Sequence, residues 1–425
     1  MKIVNPKNTL ETLSKNILVD GFHVVVDQNK SHDSWIYNAQ NDSEYLDLYS
    51  QFASQALGWN HPALTSSLER LIPVLNHKIA NSDMYTTQYA EFVETFSSIT
   101  PDFSHYFFID GGALAVENAL KCAFDWKAQK LGLDYNYSGK VDMKIMHLKN
   151  AFHGRSGYTM SLTNTGPLKT GLFPKFDWPR IDTSLDGLHQ AETYFENYAS
   201  MNCTPKPCIA AIIAEPILGE GGDIHLTTKY LEGLRELADK YEALLIFDEV
   251  QTGLGLTGKW WAYQHHNVVP DIMCFGKKTQ VCGIASTERV DEVSNNVFKT
   301  SGRINSTWGG NIVDMVRATI IIEAIRDNNY VDNALVMGDY LTKRLSEDVA
   351  RNLSFHKMTN IRNKGLMIAF DVENSTMRDE FFNLFHSHQI LALKCGEKGI
   401  RFRPHLTISK EDIDFLIDKL NEILW

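Results

Sequence analysis

The chain is short of cysteine, of excess positive charge and of long apolar runs, and each shortage removes a class of protein. Six cysteines in 425 residues, at 122, 203, 208, 274, 282 and 395, are too dilute for a disulfide scaffold. No pair has the spacing of a zinc knuckle, so reduced thiols, a cytoplasmic setting and no metal site are expected. Cys203 and Cys208 come nearest, but Pro205 and Pro207 between them predict a structural loop. No stretch approaches the roughly eighteen apolar residues of a membrane span, and MKIVNPKNTLETLSKN has no apolar core of export-signal length. The 41 basic residues against 52 acidic ones leave a net charge of −11, which repels nucleic acid and anionic lipid. Hydrophobic residues at 44 % and charged residues at 22 % match folded, water-soluble chains, and the length is enough for two or more lobes.

The organisation follows from changes of pattern. Residues 1–75 mix short runs such as HVVV (23–26) and EYLDLYS with turn residues, which predicts an irregular segment too small to stand alone. Between 76 and 310, the short apolar runs HYFF, KIMHL, IAAIIAE, ALLIF and DIMCF alternate with helical stretches. Such runs predict strands of a mostly parallel sheet buried on both faces, hence an α/β domain. Residues 311–425 open with a helix to about Asp327 and continue as mixed strands and helices, predicting a smaller α+β domain against which segment 1–75 folds. Ser409 and Asp412 stand at capping-box spacing before the last helix.

Three strand ends carry chemistry. HYFFID runs into Gly111-Gly112-Ala113 and then a helix, and a helix N-terminus approached through glycines is a seat for phosphate. ALLIF ends in Asp248-Glu249, where a buried carboxylate needs a partner. DIMCFG ends in Lys277-Lys278, twenty-nine residues after Asp248, and an ammonium drawn into an apolar pocket becomes a carbonyl nucleophile. Taken singly, these are an ordinary turn, a salt bridge and two surface lysines. Together they are the parts that hold pyridoxal phosphate: a lysine for the aldehyde, an aspartate for the ring nitrogen and amides for the phosphate. The Gly111-Gly112-Ala113 turn is neither GxGxxG nor GxxxxGK, which argues against dinucleotide and nucleoside triphosphate chemistry at this seat.

The stretches IDGGALAVENALKCAFDWK, AFHGRSGYTMSLTNT, AEPILGEGGD, LLIFDEVQTG, PDIMCFGKKTQVCG, NSTWGGN and IRFRP resemble the class III pyridoxal-phosphate aminotransferases of fold type I. AFHGRSGYT and FGKKTQVCG are similar to the branch acting on the ε-amino group of L-lysine. The resemblance implies that Lys277, six positions after Asp271, binds the cofactor covalently and that Asp248 faces its ring nitrogen. It implies Val250 and Phe152 on the two ring faces and Gln251 at the phenolic oxygen. Gly112 and Ala113 would hold the phosphate, together with Thr307 of a neighbouring subunit, so a homodimer is expected. Arg155 would fork onto the substrate carboxylate far from the reacting carbon. Arg401 would grip the α-carboxylate of glutamate, with Glu220 neutralising it when a terminal amine enters; Arg403, two residues on, is the alternative. The partners implied are L-lysine with 2-oxoglutarate and L-glutamate, and the rival donors are ornithine and 4-aminobutyrate. Leu218, Leu256 and His405 depart from the class pattern of Gln, Arg and Pro.

Overall fold

The computed structural model describes residues 4–136, 141–201, 206–350 and 358–424; Cys203 and Pro205, and with them the expected two-cysteine loop, lie outside the described residues. Two compact units emerge, one of 69–254 and 259–323, the other of 1–68, 255–258 and 324–425.

The first unit is built on a seven-stranded sheet. Its strands, in chain order, are β1 His105–Ile109, β2 Met143–Leu148, β3 Arg180–Ile181, β4 Cys208–Ala214, β5 Leu244–Asp248, β6 Ile272–Phe275 and β7 Cys282–Ser286. The spatial order is β1-β7-β6-β5-β4-β2-β3, with only β7 antiparallel to its neighbours. The five runs read from the sequence as strands are β1, β2, β4, β5 and β6; the very short β3 and the antiparallel β7 were not among them. β5 and β6 are buried at every position, which is why they read as unbroken apolar runs rather than alternating ones. Helix α1, Gly112–Lys130, packs Val116, Ala119, Leu120 and Ala123 into a core with Ile145, Ile213 and Ile246. The sheet is thus mostly parallel and helix-covered, as a fold type I large domain requires.

In the second unit, segment 1–75 supplies strands Trp35–Asn38 and Ser43–Asp47, and Ile390–Leu391 pairs parallel to the latter. HVVV is not a strand; Val26 makes a single bridge to Asn38. A four-stranded antiparallel sheet follows the order Thr359–Lys364, Met367–Asp371, Gly399–Phe402, Leu393–Cys395. Ser409 caps the final helix, Lys410–Leu424, reciprocally: Asp412 N donates to Ser409 Oγ at 3.1 Å, and Ser409 N to Asp412 Oδ2 at 3.1 Å. The two other departures from the class pattern within this unit are structural. Leu256 O accepts from Leu366 N, and buried His405 is held between Ser34 Oγ at 2.9 Å and Thr407 Oγ1 at 2.7 Å.

Candidate active site

β5 delivers Asp248 to the carboxyl edge of the sheet, where ligands of parallel sheets gather. The carboxylate is buried and doubly satisfied: Oδ1 accepts from Val250 N at 3.0 Å, and Oδ2 lies 2.8 Å from His153 Nδ1. Its neighbour Glu249 turns the other way, accepting from Thr252 Oγ1 and from the amides of Ala262 and Tyr263 at 2.9 and 2.8 Å. Burial pushes the Glu249 carboxyl up to about 7. One acid of the pair therefore serves the cavity and the other ties down the chain after β5.

After β2 the chain forms a loop that carries Phe152, His153 and Arg155. Glu117 of α1 pins it by accepting from Ser156 Oγ at 2.7 Å and Tyr158 N at 2.6 Å. Thr163 Oγ1 accepts from His153 N at 3.1 Å. Glu215, just past β4, accepts from Phe152 N at 2.9 Å and Gly219 N at 3.2 Å. Its carboxyl is pushed up to about 7, chiefly by burial, with Asp248 adding repulsion against the pull of His153. The loop's apolar and imidazole side chains are thereby held to the sheet edge from three directions.

β6 ends at Phe275, and after Gly276 comes Lys277 with φ of +54°, a left-handed conformation that a lysine rarely adopts outside functional turns. The bend separates two lysines that the sequence leaves equivalent: Lys277 lines the cavity, and Lys278 is buried with 1 % exposure. A Cβ on Gly276 would come within 2.8 Å of Cys282 Sγ, so the close passage of this turn over β7 needs glycine.

These elements enclose a cavity of about 330 Å³ lined by Gly112, Ala113, Phe152, Glu220, Asp248, Val250, Gln251 and Lys277 among others. Eight of the site residues expected from the sequence thus meet in one unit. Glu220 is engaged by Lys169, whose Nζ lies 2.9 Å from Glu220 Oε2. Arg155 and Thr307 are exposed and are not among the lining residues. Arg401 belongs to the other unit, buried at 1 % on Gly399–Phe402 between Ala369 and Leu393. Arg403 Nη1 donates to the carbonyls of Phe402 at 2.9 Å and Ile368 at 3.3 Å. Leu218 is wholly buried in a short hairpin with Ile224.

Sequence reasoning assigned no role to His153, Gly154, Glu215 or Cys282, all of which line the cavity, nor to Lys169. His153 was legible in principle, since it adjoins Phe152 and an imidazole next to a ring-stacking position can reach back to an acid. Glu215 stands directly after an apolar strand, the same signal that marked Asp248. The short turn bearing Lys169 has no such pattern.

The class-III aminotransferase family model matches residues 19–424. That covers nearly the whole chain. The chain belongs to the class III aminotransferases. It is 45 % identical to the L-lysine-epsilon aminotransferase of Mycobacterium bovis, over 99 % of this chain and 96 % of the relative. The protein of that name from Amycolatopsis lactamdurans is 43 % identical over 96 % of this chain and 93 % of its own length. The solved lysine aminotransferase of M. tuberculosis in its internal aldimine form superposes with a TM-score of 0.92 at 44 % identity, covering 99 % of both chains.

Class III aminotransferases use pyridoxal 5′-phosphate, and the residues of this cavity fit it. Gly112 and Ala113 begin α1, where the first amides of a helix have no partner within it. A Cβ at Gly112 would reach 3.0 Å from Val250 Cγ1, and one at Gly154 would strike Ala113 Cβ at 2.5 Å, so the cradle keeps its room through glycine. A lysine, a carboxylate with a fixed imidazole partner and a phenyl ring complete a donor set of the right chemistry.

Proposed function

We propose that this class III aminotransferase moves the ε-amino group of L-lysine to 2-oxoglutarate, giving 2-aminoadipate 6-semialdehyde, which cyclises to a piperideine carboxylate, and L-glutamate. The observation that carries the lysine assignment is the 45 % identity over 99 % of the chain with a protein named for that donor. When bound, pyridoxal 5′-phosphate supplies an aldehyde that takes up the amino group and a ring that accepts an electron pair. Lys277 would be the residue of attachment, and its Nζ, once freed, would take the proton from lysine Cε and pass it to the carbon that carried the aldehyde. Asp248, fixed by His153, keeps the ring nitrogen protonated. Phe152 and Val250 would bound the ring, Gln251 would serve its phenolic oxygen, and Gly112 and Ala113 would hold the phosphate.

Arg155 binds the carboxylate remote from the reacting carbon. Arg401 grips the α-carboxylate of the acidic substrate, and Glu220 neutralises it when a terminal amine enters. The engagement of Arg403 Nη1 with main-chain carbonyls supports Arg401 over Arg403. A homodimer completes the site through Thr307 of the neighbouring subunit, and the exposed apolar residues Met84, Tyr85, Leu168, Leu172 and Trp308 support such a contact. The functional domains are 76–310 for the cofactor, with 1–75 and 311–425 forming the small domain. The free cysteines at 122, 208, 274 and 282 support a reducing, cytoplasmic setting.

Steady-state rates over a panel of donors test the assignment. Lysine is expected to give the highest kcat/KM; a higher value for ornithine or 4-aminobutyrate defeats it. On adding lysine without a keto acid, the cofactor absorption should shift to the pyridoxamine form, and an unchanged spectrum would favour a non-catalytic sensor. Borohydride trapping and peptide mapping should place the label on Lys277.

A further inference from the structure

Beside the cavity stands a cation that the reaction as described leaves without a task. Lys169 lies in the short helical turn Pro167–Thr170, with Nζ 2.9 Å from Glu220 Oε2 and 5.3 Å from the centroid of the Phe152 ring. The two side chains of the ion pair are 38 % and 21 % exposed, so the pair is neither locked in the core nor dissolved in water. We propose that Lys169 is a specificity-determining positioning residue, the alternative partner that receives Glu220 when an acidic acceptor occupies the site. This rests on the reading of the protein as an ω-amine to keto-acid aminotransferase.

The two substrates of such an enzyme make opposite electrostatic demands on the same wall. A terminal-amine donor brings no carboxylate next to its reacting carbon, whereas a dicarboxylic keto acid does. Glu220 therefore has to withdraw in one half-reaction, and a carboxylate that withdraws into a partly buried wall needs a cation and hydrogen-bond donors where it arrives. Lys169 supplies both, at hydrogen-bond distance. Its position over Phe152 limits its own wandering, since an ammonium is attracted to the face of an aromatic ring. The Lys169–Glu220 pair consequently favours the state in which the wall presents no net negative charge to an incoming acid.

Lys169→Met keeps the aliphatic stem and removes the charge. Calorimetric titration of the holoenzyme with glutarate, a dicarboxylate that cannot react, is expected to show binding about fivefold weaker in this variant, the scale of a partly exposed ion pair. Lys169→Arg should stay within about twofold of the unaltered protein. Half-reaction kinetics should show KM for 2-oxoglutarate rising by about the same factor, with KM for lysine moving by less than about twofold. In a Glu220→Gln background, Lys169→Met should cause no further loss of glutarate affinity. The proposal is overturned if glutarate affinity is unchanged, if both half-reactions suffer equally, or if the loss persists in full without the Glu220 charge. Failure of the unaltered enzyme to use lysine would instead count against the donor assignment, and the glutarate titration judges Lys169 separately.

Discussion

The two compact units bury polar groups to opposite ends. In the unit of 69–254 and 259–323, Asp248, His153 and Glu215 are buried around a cavity, each placed by a strand end or by a loop pinned to one. In the other unit, Ser34, His405, Thr407 and Asp412 satisfy one another: Ser34 Oγ bridges His405 Nε2 at 2.9 Å and Asp412 Oδ2 at 2.8 Å. A buried polar network costs little only when every member has a partner. The closed network of the second unit is thus a tether, while the first leaves His153 Nε2 buried with no hydrogen-bond partner among the described residues and directs its acids toward a space that a ligand can fill. Burial of a polar side chain does not mark a site; burial beside a cavity does.

That contrast can be broken by experiment. Lys277→Ala should have the largest effect, lowering kcat by at least about a thousandfold through loss of a positioned proton carrier and the covalent anchor, while the melting temperature stays within a few degrees. His153→Ala removes a hydrogen bond to a charged group and should lower kcat by about ten- to a hundredfold, with a smaller effect on KM for lysine. Ser34→Ala should do the reverse, costing about 1–3 kcal/mol of stability in thermal or urea unfolding with kcat unchanged, because it strands buried partners far in sequence from the reaction chemistry. An equal loss of kcat in Ser34→Ala and His153→Ala would erase the distinction between tether and site.

The smallest effect concerns pH. Because burial raises the folded-state value of Glu249 from its ordinary 4.5 to about 7, the folded protein holds this proton more tightly than the unfolded chain does. The stability this group contributes is therefore complete below about 4.5 and is lost as pH rises through about 7. Glu249→Gln lacks this titration, so the melting temperature of the unaltered protein minus that of the variant should fall between pH 5 and pH 8 in a fluorimetric scan. A signed difference that rises over that range would show that Glu249 is held as a carboxylate by its three donors.

The central sheet was legible because strands buried on both faces leave apolar runs bounded by Gly, Asp and Pro. β3, two residues long, and β7, with Gly283 inside it, carry too little pattern to be read. The cavity-lining residues were legible because they stand at the ends of those runs or in motifs shared with the family. Lys278 could be set aside by resemblance, but the physical reason is a backbone turn, and side-chain composition does not encode which of two adjacent lysines it favours. Lys169 was illegible because its importance comes from proximity to a residue fifty-one positions later. HVVV shows the opposite failure, a β-rich run whose neighbours offer it only one bridge.

The bend at Lys277 makes the enzyme's identity a matter of phase. One amine leaves the turn toward open space and its twin is sent into solid protein, so adding a single residue ahead of Gly276 would put glycine at the open position and send Lys277 into the buried one. The chain would keep both lysines, its net charge and almost all of its contacts, and lose its reaction by a slip of one position.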